Sequence, residues 1–260
     1  MSRSTTPLEL ERHEQDTIDL RPSARIRPHK VVHLSTYDVA GGAARAAYRL
    51  HDGLRRAGVD SSMFVREAPT SDGSVIRFEP ATTFCKRAER RIRREHIERK
   101  LRPAIPTDSH KVEPFRTDRS EYGTDILSKL PPYDILNLHW IADFVDYPSF
   151  FGAFSKNTRI VWTLHDMNAF TGGCHYDLGC GRYLSQCGDC PQLAAAGPND
   201  LSHEIWTRKK SAFWPIAMAP RSLNPAKRAG VEVAEAIACG NGMFPCQCKI
   251  NAPCRRLTGM

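Results

Sequence analysis

The stretch KVVHLSTYDVAGGAARAAYRLHDGLRRAG (30–58) decides the fold. KVVHLSTYD (30–38) reads as a buried strand, and it stops at the diglycine Gly41–Gly42. Behind the glycines, Ala43, Ala46, Ala47, Leu50, Leu54 and Ala57 recur at steps of three and four, the stripe of an amphipathic helix. Arg55, Arg56 and Gly58 supply the basic last turn and glycine stop of such a helix. A strand, a glycine turn and a helix form the first half of a βαβ unit.

Outward from that unit the alternation continues. SSMFVRE (61–67) predicts a second strand, SVIRF (74–78) a short third, and FCKRAERRIRREHIERKLR (84–102) a basic helix. A proline-containing connection over 103–120 leads to a short helix near 121–129. PYDILNLHWI (132–141) and RIVWTLHD (159–166) read as strands without polar alternation, as expected when both sheet faces are covered. A helix at about 200–213 follows, and PIAMA (215–219) reads as a last strand. Alternating strands and helices predict an α/β fold with a parallel, doubly wound sheet. Ligands of such sheets sit beyond the carboxyl ends of the strands. The residues expected there are Ser35, Thr36 and Asp38 after the first strand, His139 and Trp140 after the fourth, and His165 and Asp166 after the fifth.

Composition sets the outer bounds. The 260 residues are 41% hydrophobic and 25% charged, the balance of an ordinary globular protein, with length enough for a buried core. No run approaches the roughly 18 apolar residues of a membrane span. Residues 1–28 offer almost nothing to bury and read as a mobile polar extension without the apolar segment of a signal peptide. Nine cysteines without an export signal suggest a reducing compartment, where clustered thiols bind metal more often than they form disulfides. The net charge of +8 is concentrated in 84–102, where nine Lys/Arg face three Glu. That helix reads either as a solvated face with Glu–Arg pairs or as a surface for acidic lipid headgroups or a polyanion.

Each motif carries a chemistry and a plainer alternative. In Asp38-Val-Ala-Gly41-Gly42-Ala43-Ala44-Arg45, glycines let backbone N–H groups approach a phosphate, and the helix N-terminus favours negative charge. The turn is neither the GxGxxG fingerprint nor a lysine-bearing Walker loop, and a diglycine often serves only to turn the chain. His165 and Asp166 end an apolar strand, where a histidine either satisfies a carbonyl or meets a ligand hydroxyl or a proton. Trp140 fits a packing role or an acceptor platform. Cys174, Cys180, Cys187 and Cys190 offer four thiolates for a tetrahedral structural zinc, with His175 as a substitute ligand. An iron–sulfur cluster and four reduced thiols packed as small apolar groups are the alternatives. The CxxC does not open a helix after a strand, which argues against a redox role, and Pro191 stands where haem attachment needs a histidine.

HLSTYDVAGGAARAAYRLHDGL, DILNLHWI and VWTLHDMNAFTGGCHY with its following CGDCPQL resemble the N-terminal half of bacterial family 4 glycosyltransferases. The branch making exopolysaccharide or cell-wall glycans is the most similar, and the resemblance covers roughly 30–214. It implies the Rossmann-like acceptor-side domain of a glycosyltransferase-B fold over 29–220, with a Cys-rich loop at 171–193. It further implies retaining transfer of a hexose from a nucleotide diphosphate sugar to a glycan or lipid-linked acceptor. Gly41, Gly42 and Arg45 would lie at the donor phosphates, His165 and Asp166 at the transferred sugar, and Asp38, His139 and Trp140 at the acceptor side. The metal positions would be the four cysteines, with no catalytic metal.

The chain departs from the family pattern after Pro220. The second domain, with its basic residues and paired glutamates, is not recognisable, and the strand-to-APSRW junction survives only as MAPRSL. Residues 221–260, with Cys239, Cys246, Cys248 and Cys254, read as an irregular tail from truncation or a frame shift, or as a second metal module. The chain alone is therefore expected to transfer sugar weakly or not at all. The expected location is cytoplasmic, or peripheral on the inner face of the cell membrane. Two other readings stand beside this one. One is a non-catalytic metal-containing module gripping an anionic membrane or nucleic acid through 84–102, nucleic acid being disfavoured because no aromatics interleave the basic residues. The other is a folded, catalytically dead remnant.

Overall fold

A computed structural model describes residues 29–106, 115–155 and 158–217. Strands β1 (Lys30–Tyr37), β2 (Asp60–Glu67), β3 (Val75–Arg77), β4 (Ile135–Leu138) and β5 (Ile160–Trp162) pair in one parallel sheet, in the order β3-β2-β1-β4-β5. Helices α1 (Gly42–Arg56), α2 (Phe84–Leu101), α3 (Tyr147–Gly152) and α4 (Leu201–Ala217) flank it. This is the Rossmann-like α/β arrangement that the alternation predicts. The chain winds from β1 through β2 to β3, then crosses back to lay β4 on the other side of β1. In open α/β sheets, ligands bind beyond the carboxyl ends of the strands at such a reversal of strand order.

The two faces of the sheet are chemically different. On one face Leu34, Phe64, Leu138, Ile160 and Trp162 join Phe144, Phe150 and Phe151 in the main core. Fully burying one such side chain contributes roughly 1.5–3 kcal/mol. Asp146 caps the short α3 by accepting from the Ser149 N–H at 3.2 Å, and so directs the helix aromatics into this core. The other face carries His33 and Ser35 on β1 and Asn137 on β4, with His33 and Asn137 opposite each other in register. That face turns apolar at β2, where Met63 and Val65 pack on Ala47 of α1.

This polar face corrects the helix stripe. The buried residues of α1 are Ala44, Ala47 and His51, while Leu50 is 41% exposed. The His51 ring is held by the hydroxyls of Ser61 at 2.8 Å and Ser74 at 2.9 Å, so a polar sheet face selects an imidazole where the apolar stripe expects leucine. It also corrects the reading of β4, whose Asn137 alternates with Leu136 and Leu138 to opposite sides.

Several boundaries move as well. β4 and β5 are shorter than predicted, because pairing stops where the chain bends to bring residues 139–140 and 163–166 over the sheet edge. The short helix near 121–129 is a series of turns closing in one 3-10 turn, Leu127–Lys129. The last strand is not formed: Leu201–Ala217 is one helix running through 215–217, and 218–219 lie outside the described residues. α2 matches the basic helix and buries none of its residues. Glu–Arg and Glu–Lys pairs along it, such as Glu89–Arg93 and Glu98–Arg102, make most of it the solvated face foreseen. The expectations for 1–28, for 218–260 and for the tail cysteines lie outside the described residues.

Candidate functional site

Three strand ends meet at the carboxyl edge of the sheet. The backbone N–H of Thr36 donates to the Trp140 carbonyl at 2.8 Å, and that of His139 to the Leu34 carbonyl at 2.9 Å, which ties the exits of β1 and β4 together. The Tyr37 ring stacks on Trp140 with centroids 6.1 Å apart. The Trp140 indole N–H donates to Asp166 Oδ2 at 2.9 Å, and His139 Nδ1 lies 3.0 Å from His165 Nε2. Tyr37, Trp140 and His165, far apart in order, thus gather at one rim. Gly41, whose φ of +92° suits glycine, immediately precedes α1, and having no side chain it leaves the first helical N–H groups without a side-chain cap. No acidic residue sits in that first turn, and Arg45 is exposed on it. Such a terminus attracts anions.

The predicted residues divide by whether they have capacity left for a ligand. Gly41, Gly42 and Arg45 are exposed, and His165 and Trp140 are half-buried at the rim. Asp38 is fully buried: its Oδ1 accepts from the Val39 N–H, and its Oδ2 from the N–H and hydroxyl of Thr70 at 3.1 and 2.6 Å. It staples the β1 exit to the loop after β2 and has no face toward the crevice. Ser35 and Thr36 belong to β1 itself and are buried, with the Thr36 hydroxyl on the Ala142 carbonyl. Asp166 is occupied too, taking Trp140 and His175 on Oδ2 and the Asn168 N–H on Oδ1. Burial works to raise its pKa, but these bonds and the nearby His175 win and hold the carboxyl below its usual range. Asp166 orients Trp140 and His175; it is not a free base.

His33 escaped the sequence reading as a site residue, and His175, expected as a substitute metal ligand, pairs with Asp166 instead. His175 Nδ1 lies 2.6 Å from Asp166, and its Nε2 is buried without a partner among the described residues. His33 Nδ1 lies 2.9 Å from His139 Nε2. Burial lowers the pKa of all three linked imidazoles: His33 to about 4, His139 well below its usual value, and His165 less, because Asp166 stands beside it. These rings are neutral at pH 7.

The four cysteines line one small pocket of about 20 Å³ in the loop after β5. The donor set suits zinc, but its placement does not. Among the described residues no group of three or more His, Cys, Asp or Glu side chains is arranged to hold a metal ion. His175 turns to Asp166 instead of the thiols. Burial raises the thiols of Cys174 and Cys190 and pushes that of Cys187 up to about 11, so they carry their protons at neutral pH. Protein groups hold the loop. Asp200 accepts from the N–H groups of Cys190, Gly197 and Ser202, and buried Lys209 donates to the carbonyls of Asn168 and Thr171. Gly172 is required by contact, since a Cβ there would meet the Ser202 carbonyl oxygen at 2.3 Å.

The space around the site is mostly open rim. The cavity beneath His139, Trp140, His165 and Asp166 measures about 10 Å³, room for about one water. A larger one of about 240 Å³ lies between α2 and α4, away from the strand ends, and its cations Lys100, Arg119 and Arg208 are already paired with acids. No family model, curated protein or solved structure matches this chain.

Proposed function

We propose that this chain is the acceptor-side portion of a sugar-transfer protein, whose crevice between the ends of β1 and β4 receives a nucleotide diphosphate sugar and a glycan or lipid-linked acceptor. One observation carries the reading: His165, with an unpaired ring nitrogen at the rim, shares the sheet edge with the uncapped, acid-free N-terminus of α1 at Gly41–Gly42. A neutral imidazole suits a sugar hydroxyl, and exposed helix N–H groups with Arg45 suit a diphosphate. Trp140 is half-buried at the same rim, fixed by Tyr37, His175 and Asp166. In this reading the chain's own contribution is positioning and electrostatics, with hexosyl transfer completed by groups that the described residues do not supply. A structural zinc at the four cysteines has no role in it.

Calorimetric titration of the purified chain with uridine and guanosine diphosphate sugars tests the reading. Saturable binding, weakened at least tenfold by His165→Ala and by Gly41→Val, is expected. Absence of binding to every donor tried would contradict it.

A peripheral contact with an anionic membrane is the second reading. On α2, Phe84 and Ile92 are 86% and 69% exposed, and Arg87 and Arg91 form no ion pair among the described residues. Apolar anchors beside free cations suit an acidic lipid surface. Co-sedimentation with phosphatidylglycerol vesicles should occur at low salt and fail for Arg87→Glu/Arg91→Glu; binding to neutral vesicles alone would contradict this reading.

A further inference from the structure

The three imidazoles of His33, His139 and His165 form a continuous file from the interior to the rim. His33 Nδ1 faces His139 Nε2 at 2.9 Å, and His139 Nδ1 faces His165 Nε2 at 3.0 Å. A neutral imidazole has one N–H donor and one lone pair, and a nitrogen–nitrogen contact this short needs one of each. Two successive contacts therefore couple the three rings. Either all three protons sit on Nε2, or all three sit on Nδ1.

Asn137 selects between these states. Its amide nitrogen lies 3.4 Å from His33 Nδ1, while its amide oxygen accepts the Thr163 hydroxyl at 3.0 Å. An NH2 group turned toward His33 Nδ1 favours a lone pair there, shared with the donor on His139 Nε2, and so the Nε2–H form of His33. His139 must then donate from Nε2, and His165 from Nε2 in turn. The file ends at His165 Nδ1, a lone pair that is neither buried nor partnered among the described residues. Its inner end is His33 Nε2, buried without an acceptor, with the His51 ring in a T-shaped contact at 5.8 Å. A buried N–H left unpaired costs about 1–3 kcal/mol. For the Nε2–H form to prevail, the Asn137 contact must offset that cost at the inner end.

We infer that His33 and His139 are positioning residues that hold His165 as its Nε2–H tautomer, so that Nδ1 presents a hydrogen-bond acceptor to the crevice. The group received there is a donor, a hydroxyl in preference to a phosphate or carboxylate oxygen. That choice of a hydroxyl rests on the sugar-binding reading above, whereas the tautomer does not. It also divides the rim by chemistry: anionic oxygens to the start of α1, hydroxyls to His165.

Long-range proton–nitrogen correlation spectra of the full chain, labelled with ¹⁵N-histidine, test this at neutral pH. The expected pattern is Nε2–H for His33, His139 and His165 alike; an Nδ1–H or mixed pattern at His165 would overturn the inference. A second arm uses His33→Phe, which removes the acceptor for His139. The His139 proton is then expected to move to Nδ1 and to drive His165 to Nδ1–H, a change relayed across two rings that a merely structural role would not cause. An unchanged His165 in folded His33→Phe would contradict the relay, and if that variant does not fold the wild-type spectrum decides alone. Failure of nucleotide sugars to bind, with the Nε2–H pattern intact, would count against the proposed function and leave the relay standing.

Discussion

The two faces of one sheet have been put to opposite uses. Leu34 and Leu138 point from β1 and β4 into a core of stacked aromatics, while their sequence neighbours His33 and Asn137 point into a layer of hydrogen-bonded rings and amides. The apolar face holds the fold together without directional demands. The polar face must satisfy each donor and acceptor, and it leaves His33 Nε2 and the Ser35 hydroxyl unpaired among the described residues. The difference teaches that the aromatic core lies on one side, and that the other side carries a polar layer running to the rim.

The largest effect expected is on the apolar face. Phe144 is fully buried among Phe64, Phe78 and Tyr122, so Phe144→Ala should cost about 3–5 kcal/mol in urea unfolding. A loss below about 1 kcal/mol would break the contrast between the faces.

The polar face should reveal itself by acid lability. His33 titrates near 4 when folded and at 6.5 when unfolded, so between those values the unfolded chain binds the extra proton and stability falls as the pH falls. The lowered values of His51, His139 and His165 act in the same direction. His33 alone contributes on the order of 3 kcal/mol across that window. Unfolding free energies at pH 7 and pH 4.5 should differ accordingly in the wild type and differ less in His33→Phe. A pH-independent stability from 7 to 4.5 would contradict the polar layer.

The cysteine-rich loop tests whether protein groups alone can hold it. Lys209→Met removes the donor to two buried carbonyls and should cost about 1–3 kcal/mol, with faster labelling of Cys187 and Cys190 by a thiol reagent. Unchanged labelling would show that Lys209 is not the clamp. The smallest effect belongs to the rim. Gly41→Ala meets no neighbour within 4 Å but forces a φ of +92° on a residue with a Cβ, a cost of about 1 kcal/mol by thermal melting.

Much of this division was legible in the chain, and the parts that were not have physical reasons. The strand–diglycine–helix unit at 30–58 gave the parallel sheet because period and punctuation are local signals. The alternation Leu136, Asn137, Leu138, His139 was equally visible, but it was read as a strand covered by apolar neighbours on both sides. His51 was missed because an amphipathic stripe is scored on apolar residues, whereas the surface it faces is polar. The closeness of His139 to His165 and of Asp38 to Thr70 depends on how strands and loops register in space, which no local pattern encodes. The four thiols lay in one pocket as their spacing suggested, yet spacing does not decide whether side chains converge on a metal.

The most direct test of the account is a titration of ¹⁵N-labelled chain with a nucleotide diphosphate sugar, followed through the amides of Gly41 and Gly42 and the ring of His165. The account predicts that all three signals move together with one saturation curve, and that the His165 ring stays neutral as Nδ1 accepts a hydrogen bond. Movement confined to other parts of the molecule, with these three unchanged at saturating ligand, would contradict it.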